Sequence, residues 1–272
     1  MKKEFYKNLK SKTLNDIASG KITYDKLDDN LREDKEIVLE AIRHESFVYY
    51  DVPDILKDDR EIVLASLKKY GLMLEFVSDK LKKDKEIVFT AVKQCGFALK
   101  YADKIFKEDK EIVYEAIKSD GWALQFVGRK FLRDPNFLFS AVKYHGYAFE
   151  LLSRKYKRDK NFIEKCIKEH GYILRFIDPK LRLNYLFLEK LVKINGYCLK
   201  YIPDIFKDDL NLALIAVKQN GLSISFVEGD LRKNKEIIIE AIKQNRESYD
   251  FIDNSMKLDK DVSAAFMQYS MI

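Results

Sequence analysis

Residues 109–133 read DKEIVYEAIKSDGWALQFVGRKFLR, and the rest of the chain repeats this pattern every 25 residues. The opening acidic or amide position recurs at Asp34, Asp59, Asp84, Asp109, Asp134, Asp159, Asn184, Asp209, Asn234 and Asp259. Counting that residue as zero, a glycine stands at +12 in Gly71, Gly96, Gly121, Gly146, Gly171, Gly196 and Gly221. Self-similarity at a fixed period of a few tens of residues is the signature of a repeat array in which each unit stacks on the next.

Within one unit the chemistry predicts two helices. Asp at zero suits an N-cap, its carboxylate accepting from the first free N–H groups, and Glu at +2 suits the positive end of the helix dipole. Apolar residues at +3, +4, +7 and +8 form one helical stripe. Gly at +12 is expected at C′ with positive φ. Position +7 is small at Ala41, Ser66, Ala91, Ala116, Ala141, Cys166, Ala216 and Ala241, with Leu191 the exception, so a neighbouring helix is expected close by. The second helix is expected to be shorter, with apolar +15, +18 and +22 on one side at about 100° per residue. Aromatics at +13 and +17, such as Trp122 and Phe126, would pack on the opposite side. The predicted fold is all-α: a right-handed α-solenoid of about nine 25-residue helix–turn–helix repeats over 34–258. Residues 1–33 form a degenerate capping unit, with Ile22, Tyr24 and Leu31 echoing the second helix, and 259–272 a closing half-unit. The ends depart from the pattern as caps should, with Ser46 and Arg246 in place of glycine.

Residues 84–107, DKEIVFTAVKQCGFALKYADKIFK, resemble the repeats of the family known as domain of unknown function 4116, whose units read D-K/R-E-I/V-V-L-x-A-V-x-x-x-G-x-A-L-x-Y/F-A/V. The resemblance covers roughly 34–258 and is looser at 134–208, where Asn136, Asn161 and Leu186 replace the acidic +2 residue. It implies all-α repeats, in a family found in intracellular bacteria, protists and viruses. It implies no activity and no catalytic residue.

Of the chain's 272 residues, 47% are hydrophobic and 35% charged, the balance of an ordered protein. A net +6 from 50 Lys/Arg against 44 Asp/Glu does not by itself imply a nucleic-acid partner. Three cysteines without a CxxC pair, an N-terminus without the apolar core of a signal peptide, and no membrane-length apolar run point to a reducing, cytoplasmic setting. Delivery into a host cell would leave no mark in such a sequence. HExxH, GxSxG, P-loop and CxxC patterns are absent. His145 and His170, both at +11, read as helix-end residues. No catalytic residue, metal or cofactor is therefore expected.

Two basic features stand out. A ladder at +9, from Arg43 to Lys243, lies in the last turn of the first helix, where cations complement the dipole and form a solvated face. The second is basic +23, which swells in the middle: residues 129–182 hold 14 Lys/Arg against 6 Asp/Glu, a net +8 in a chain of net +6. A positive patch with aromatics fits an anionic partner. The candidate contact residues are Arg129, Lys130, Arg133, Tyr144, Tyr147, Arg154, Lys155, Tyr156, Lys157, Arg158, Arg175, Lys180 and Arg182. The functional expectation is a non-enzymatic protein–protein interaction module, in its finer form an effector or inhibitor that docks on a nucleic-acid-handling protein. Direct RNA or DNA binding through 129–182 is the alternative.

Overall fold

The computed structural model describes residues 2–45 and 47–269, and among them there are helices and turns but no strand. Ser46, which takes the place of a repeat glycine, lies outside the described residues. Contacts divide the chain into two compact units, Met1–Asp134 and Pro135–Ile272. The long helices of the first are Lys2–Ala18, Lys35–His44, Arg60–Lys69, Lys85–Gln94 and Lys110–Ser119. Those of the second are Pro135–Tyr144, Lys160–Glu169, Tyr185–Ile194, Leu210–Gln219, Lys235–Gln244 and Lys260–Gln268. Within each unit the repeats stack in chain order, as an all-α solenoid requires.

The first helix of each repeat forms for the expected reasons. The Asp84 carboxylate accepts from the N–H groups of Glu86 at 2.9 Å and Ile87 at 3.2 Å, and the Asn184 amide oxygen accepts from Phe187 at 2.9 Å. Its apolar stripe is fully enclosed: Ile87, Val88, Ala91 and Val92 are each 0% exposed.

Except in the first full repeat, where Val48–Asp51 makes a single α-turn, the second element is not an α-helix. At +11 the chain turns extended (Cys95, φ −148°, ψ 109°), and the following residues wind as a 3₁₀ helix, Gly96–Lys100 in this repeat and Gly171–Phe176 in another. With three residues per turn, +12, +15 and +18 share an edge, so Gly96, Leu99 and Ala102 are buried together. The three-residue step from +15 to +18 was the 3₁₀ period. The +22 residue belongs to a separate short turn, such as Phe131–Arg133.

The repeat glycines also have a different cause from the one expected. Among the described residues positive φ occurs only at Gly20 and Gly229. The +12 glycines are needed for close approach. A Cβ on Gly196 or Gly221 would come within 2.5 Å of the carbonyl oxygen of Ala216 or Ala241, the +7 residue of the next repeat, and one on Gly96 would overlap that of Ala116. The glycine N–H meanwhile donates to the +10 side chain of the next repeat: Gly71 to Gln94 Oε1 at 2.6 Å, and Gly96 to Ser119 Oγ at 3.1 Å. A small +7 and a glycine at +12 are thus two halves of one contact between repeats. At Gly146 and Gly171 the nearest atoms are instead side chains, those of Tyr172 and His170 for the first and of Asn195 and Tyr197, at 3.1 Å, for the second.

A second link was not foreseen. The cation at +1 bridges the residues at zero and +2 of the following repeat. Lys10 lies 2.9 Å from Asp34 and 3.1 Å from Glu36, Lys35 lies 2.8 Å from Asp59 and 2.9 Å from Glu61, and Lys85 lies 3.2 Å from Asp109 and 2.7 Å from Glu111. Arg60 spans Asp84 and Glu86 in the same way. The opening segment therefore keeps the repeat register. Its Tyr24, 1% exposed, donates to the Arg32 carbonyl at 2.8 Å, as Tyr49 does to that of Lys57 at 2.9 Å. At the other end Tyr249 stacks on Phe266 with ring centres 3.9 Å apart.

Candidate interaction surface

The expected contact residues fall in both units: Arg129, Lys130 and Arg133 in the first, and the rest in the second. Several serve the repeat itself. Lys157 donates to the Glu150 carbonyl at 2.6 Å, as Lys82 does to that of Glu75 at 2.9 Å and Lys107 to that of Lys100 at 2.8 Å. The basic +23 position thus satisfies a terminal carbonyl of its own 3₁₀ element, where unpaired acceptors collect. Lys130 donates to the Glu108 carbonyl at 2.6 Å. Arg158 pairs at 2.6 Å with Asp178, whose side chain is 5% exposed. The guanidinium holds that carboxyl below the usual carboxylate range, aided by the Lys180 N–H.

Tyr156 is a correction. It is 5% exposed and packs on Phe162 with ring centres 5.1 Å apart, so a partner could reach it only by opening the core. Its place at +22, which is apolar in every repeat, marks it as structural. Arg129, Arg133, Tyr144, Arg154, Lys155 and Lys180 are exposed, and Arg182 is half-buried.

The second unit gathers a different set of side chains on its surface. In each repeat +14, +15 and +18 face inward, which turns +13, +16 and +17 outward. Tyr147, 54% exposed, meets Tyr172 at 5.1 Å and Phe176 at 6.2 Å between ring centres. Tyr197 meets Tyr201 at 5.7 Å and Phe226 edge-on at 5.0 Å. Cations at +16 cover the rings: Arg175 lies 5.0 Å above Phe176, while Lys200 lies 5.7 Å from both Tyr197 and Tyr201 and 5.4 Å from Phe226. Cation–π attraction fixes these otherwise mobile side chains. Burial, followed by the Tyr197 hydroxyl, pushes the Tyr201 phenol up to about 12, and burial also raises that of Tyr172. Both remain O–H donors at neutral pH. Sequence reading named Tyr147 and Arg175 as contacts, counted Tyr172 among the aromatics of the basic stretch, and missed Phe176, Tyr197, Lys200, Tyr201 and Phe226. Their aromatic spacing was visible but was assigned wholly to packing between repeats.

Cys166 and Cys198 are buried and Cys95 is half-buried, and burial pushes the Cys166 thiol up to about 12. Among the described residues no group of three or more His, Cys, Asp or Glu side chains could hold a metal ion, and no helix is long and apolar enough to cross a membrane. The family described as Domain of unknown function (DUF4116) matches residues 59–107, 84–133, 109–157, 134–182, 184–232 and 220–257. No curated protein and no solved structure matches the chain.

Proposed function

The chain belongs to the DUF4116 family, and on that premise we propose that it is a non-enzymatic protein-interaction module whose docking face is the aromatic and cationic ladder of residues 147–226. The observation that carries this reading is the outward turn of Tyr147, Arg175, Lys200 and their ring neighbours at the recurring +13, +16 and +17 positions of successive repeats. Tyrosine and arginine dominate binding energy in protein interfaces because they combine large contact area with polar tips and few rotatable bonds. Repeat proteins present such side chains at fixed spacing over an extended face. The positive charge around 129–182 supports the finer form of the reading, an effector or inhibitor that docks on a nucleic-acid-handling protein.

Affinity capture from the native cell, with and without nuclease, tests this reading. A protein partner that survives nuclease and is lost from a Tyr147→Ser, Tyr197→Ser variant with an unchanged melting curve supports it. Capture of nucleic acid alone, lost with the 129–182 cations, would replace it with direct nucleic-acid binding.

A further inference from the structure

We infer that the partner presents an acidic, extended segment to this ladder, its carboxylates meeting Arg175 and Lys200 while its apolar side chains lie against the rings. The inference rests on the interaction reading above and adds the chemistry of the occupant. Charge complementarity is the first argument. Among the described residues no carboxylate pairs with Arg175 or Lys200, whereas +16 holds Glu150 one repeat earlier and Ser225 one repeat later. The two adjacent cations therefore form a short positive centre on an aromatic face. Held over rings, they keep their N–H donors free on the solvent side, and a charged hydrogen bond there is stronger than a neutral one.

Ring geometry argues against a nucleic acid at this face. Base stacking needs open ring faces. Here Phe226 stands perpendicular to Tyr197, with interplanar angle 90°, and Lys200 covers three rings at once. A base could enter only by displacing both, while a carboxylate reaches the cations without moving a ring. Successive repeats bring their ladder residues side by side, so the segment is extended and crosses the repeats in turn.

The test measures anisotropy of three labelled probes against the full chain: an alternating Glu/Val peptide, the matching Gln/Val peptide, and an oligouridine. The expected result is that the Glu/Val peptide binds at least about tenfold more tightly than the other two. The Arg175→Gln, Lys200→Gln variant should abolish that preference and leave the melting curve unchanged, because both side chains are exposed. Equal binding of the two peptides, tighter binding of oligouridine, or no binding of any probe overturns the inference. If ladder-dependent capture of a protein persists under any of those results, the interaction reading stands and only the acidic occupant is lost. If the ladder variant captures the same partner undiminished, the interaction reading itself fails.

Discussion

Among the described residues, four successive charged clamps, from Lys10 to Lys85, tie the repeats of the first unit, whereas the second unit keeps one, in which Lys235 lies 2.7 Å from Asp259 and 3.0 Å from Asp261. Elsewhere in the second unit the clamp is rebuilt from other chemistry. The Tyr185 hydroxyl donates to Asp209 at 3.2 Å and accepts from the Asn211 amide at 3.1 Å, and Lys160 sits 5.3 Å over the Phe187 ring. The caps and the buried stripe persist through both units. The comparison separates what a repeat needs from what it can exchange: capped helices and an apolar stripe are required, and the ionic link is optional. At +2 of the repeat that opens at Asn184, where the ionic link needs an acid, Leu186 stands 77% exposed. The +13, +16 and +17 grouping is common to both units: Lys100 lies 5.8 Å from Phe97 and 5.0 Å from Tyr101 in the first, and adjacent repeats carry it at Arg175 and Lys200 in the second.

The largest expected difference between the units concerns +7. Leu191→Ala should cost about 2–5 kcal/mol by leaving a cavity, since Leu191 is 0% exposed. In the first unit Ala91→Leu should cost roughly 1–3 kcal/mol by overpacking. Thermal unfolding measures both, and a neutral Leu191→Ala would mean that no cavity is left. Next is the glycine contact. Gly96→Ala meets backbone at Ala116 and Asp120 and should cost about 1–3 kcal/mol. Gly171→Ala meets only side chains of Asn195 and Tyr197, which can shift, and should cost clearly less. Equal losses would erase that contrast.

The smallest effects concern the clamps. Arg60 depresses the Asp84 carboxyl by direct hydrogen bonding. A depressed carboxylate stabilises the fold above its ordinary titration range, and this is lost as pH falls through the folded value. Arg60→Met should therefore lower the unfolding midpoint at neutral pH by no more than about 2 °C. The deficit should vanish in strong acid and shrink at about 1 M salt. Tyr185→Phe, the counterpart in the second unit, should cost roughly 0.5–1.5 kcal/mol with little response to salt. A strongly salt-dependent loss at Tyr185 would contradict the exchange of ionic for neutral chemistry.

Much of the fold was legible because it is periodic. The Asp caps, the +3, +4, +7 and +8 stripe and the small +7 residue each follow from short-range chemistry repeated in every unit. The 3₁₀ element was harder to read, because apolar residues three apart fit an α-helix equally well until the break at +19 to +20 is seen. The glycines misled for a related reason: glycine after a helix signals positive φ or close approach, and only the neighbouring repeat decides which. The interaction face was half legible. Charge density drew attention to the +23 lysines, yet Lys82, Lys107 and Lys157 are held by their own repeat's carbonyls. The outward turn of +13, +16 and +17 follows from the 3₁₀ winding and could not be read while an α-helix was assumed.

At Gly71, Gly96, Gly196 and Gly221 the +12 glycine lets main chain approach main chain, so there the pitch between layers is set by atoms that side-chain substitution cannot alter. Ladder residues at +16 and +17 are not among those that crowd these glycines. Descent with modification could therefore rewrite what this surface recognises, residue by residue, while the ruler on which the message is spaced stays the same length.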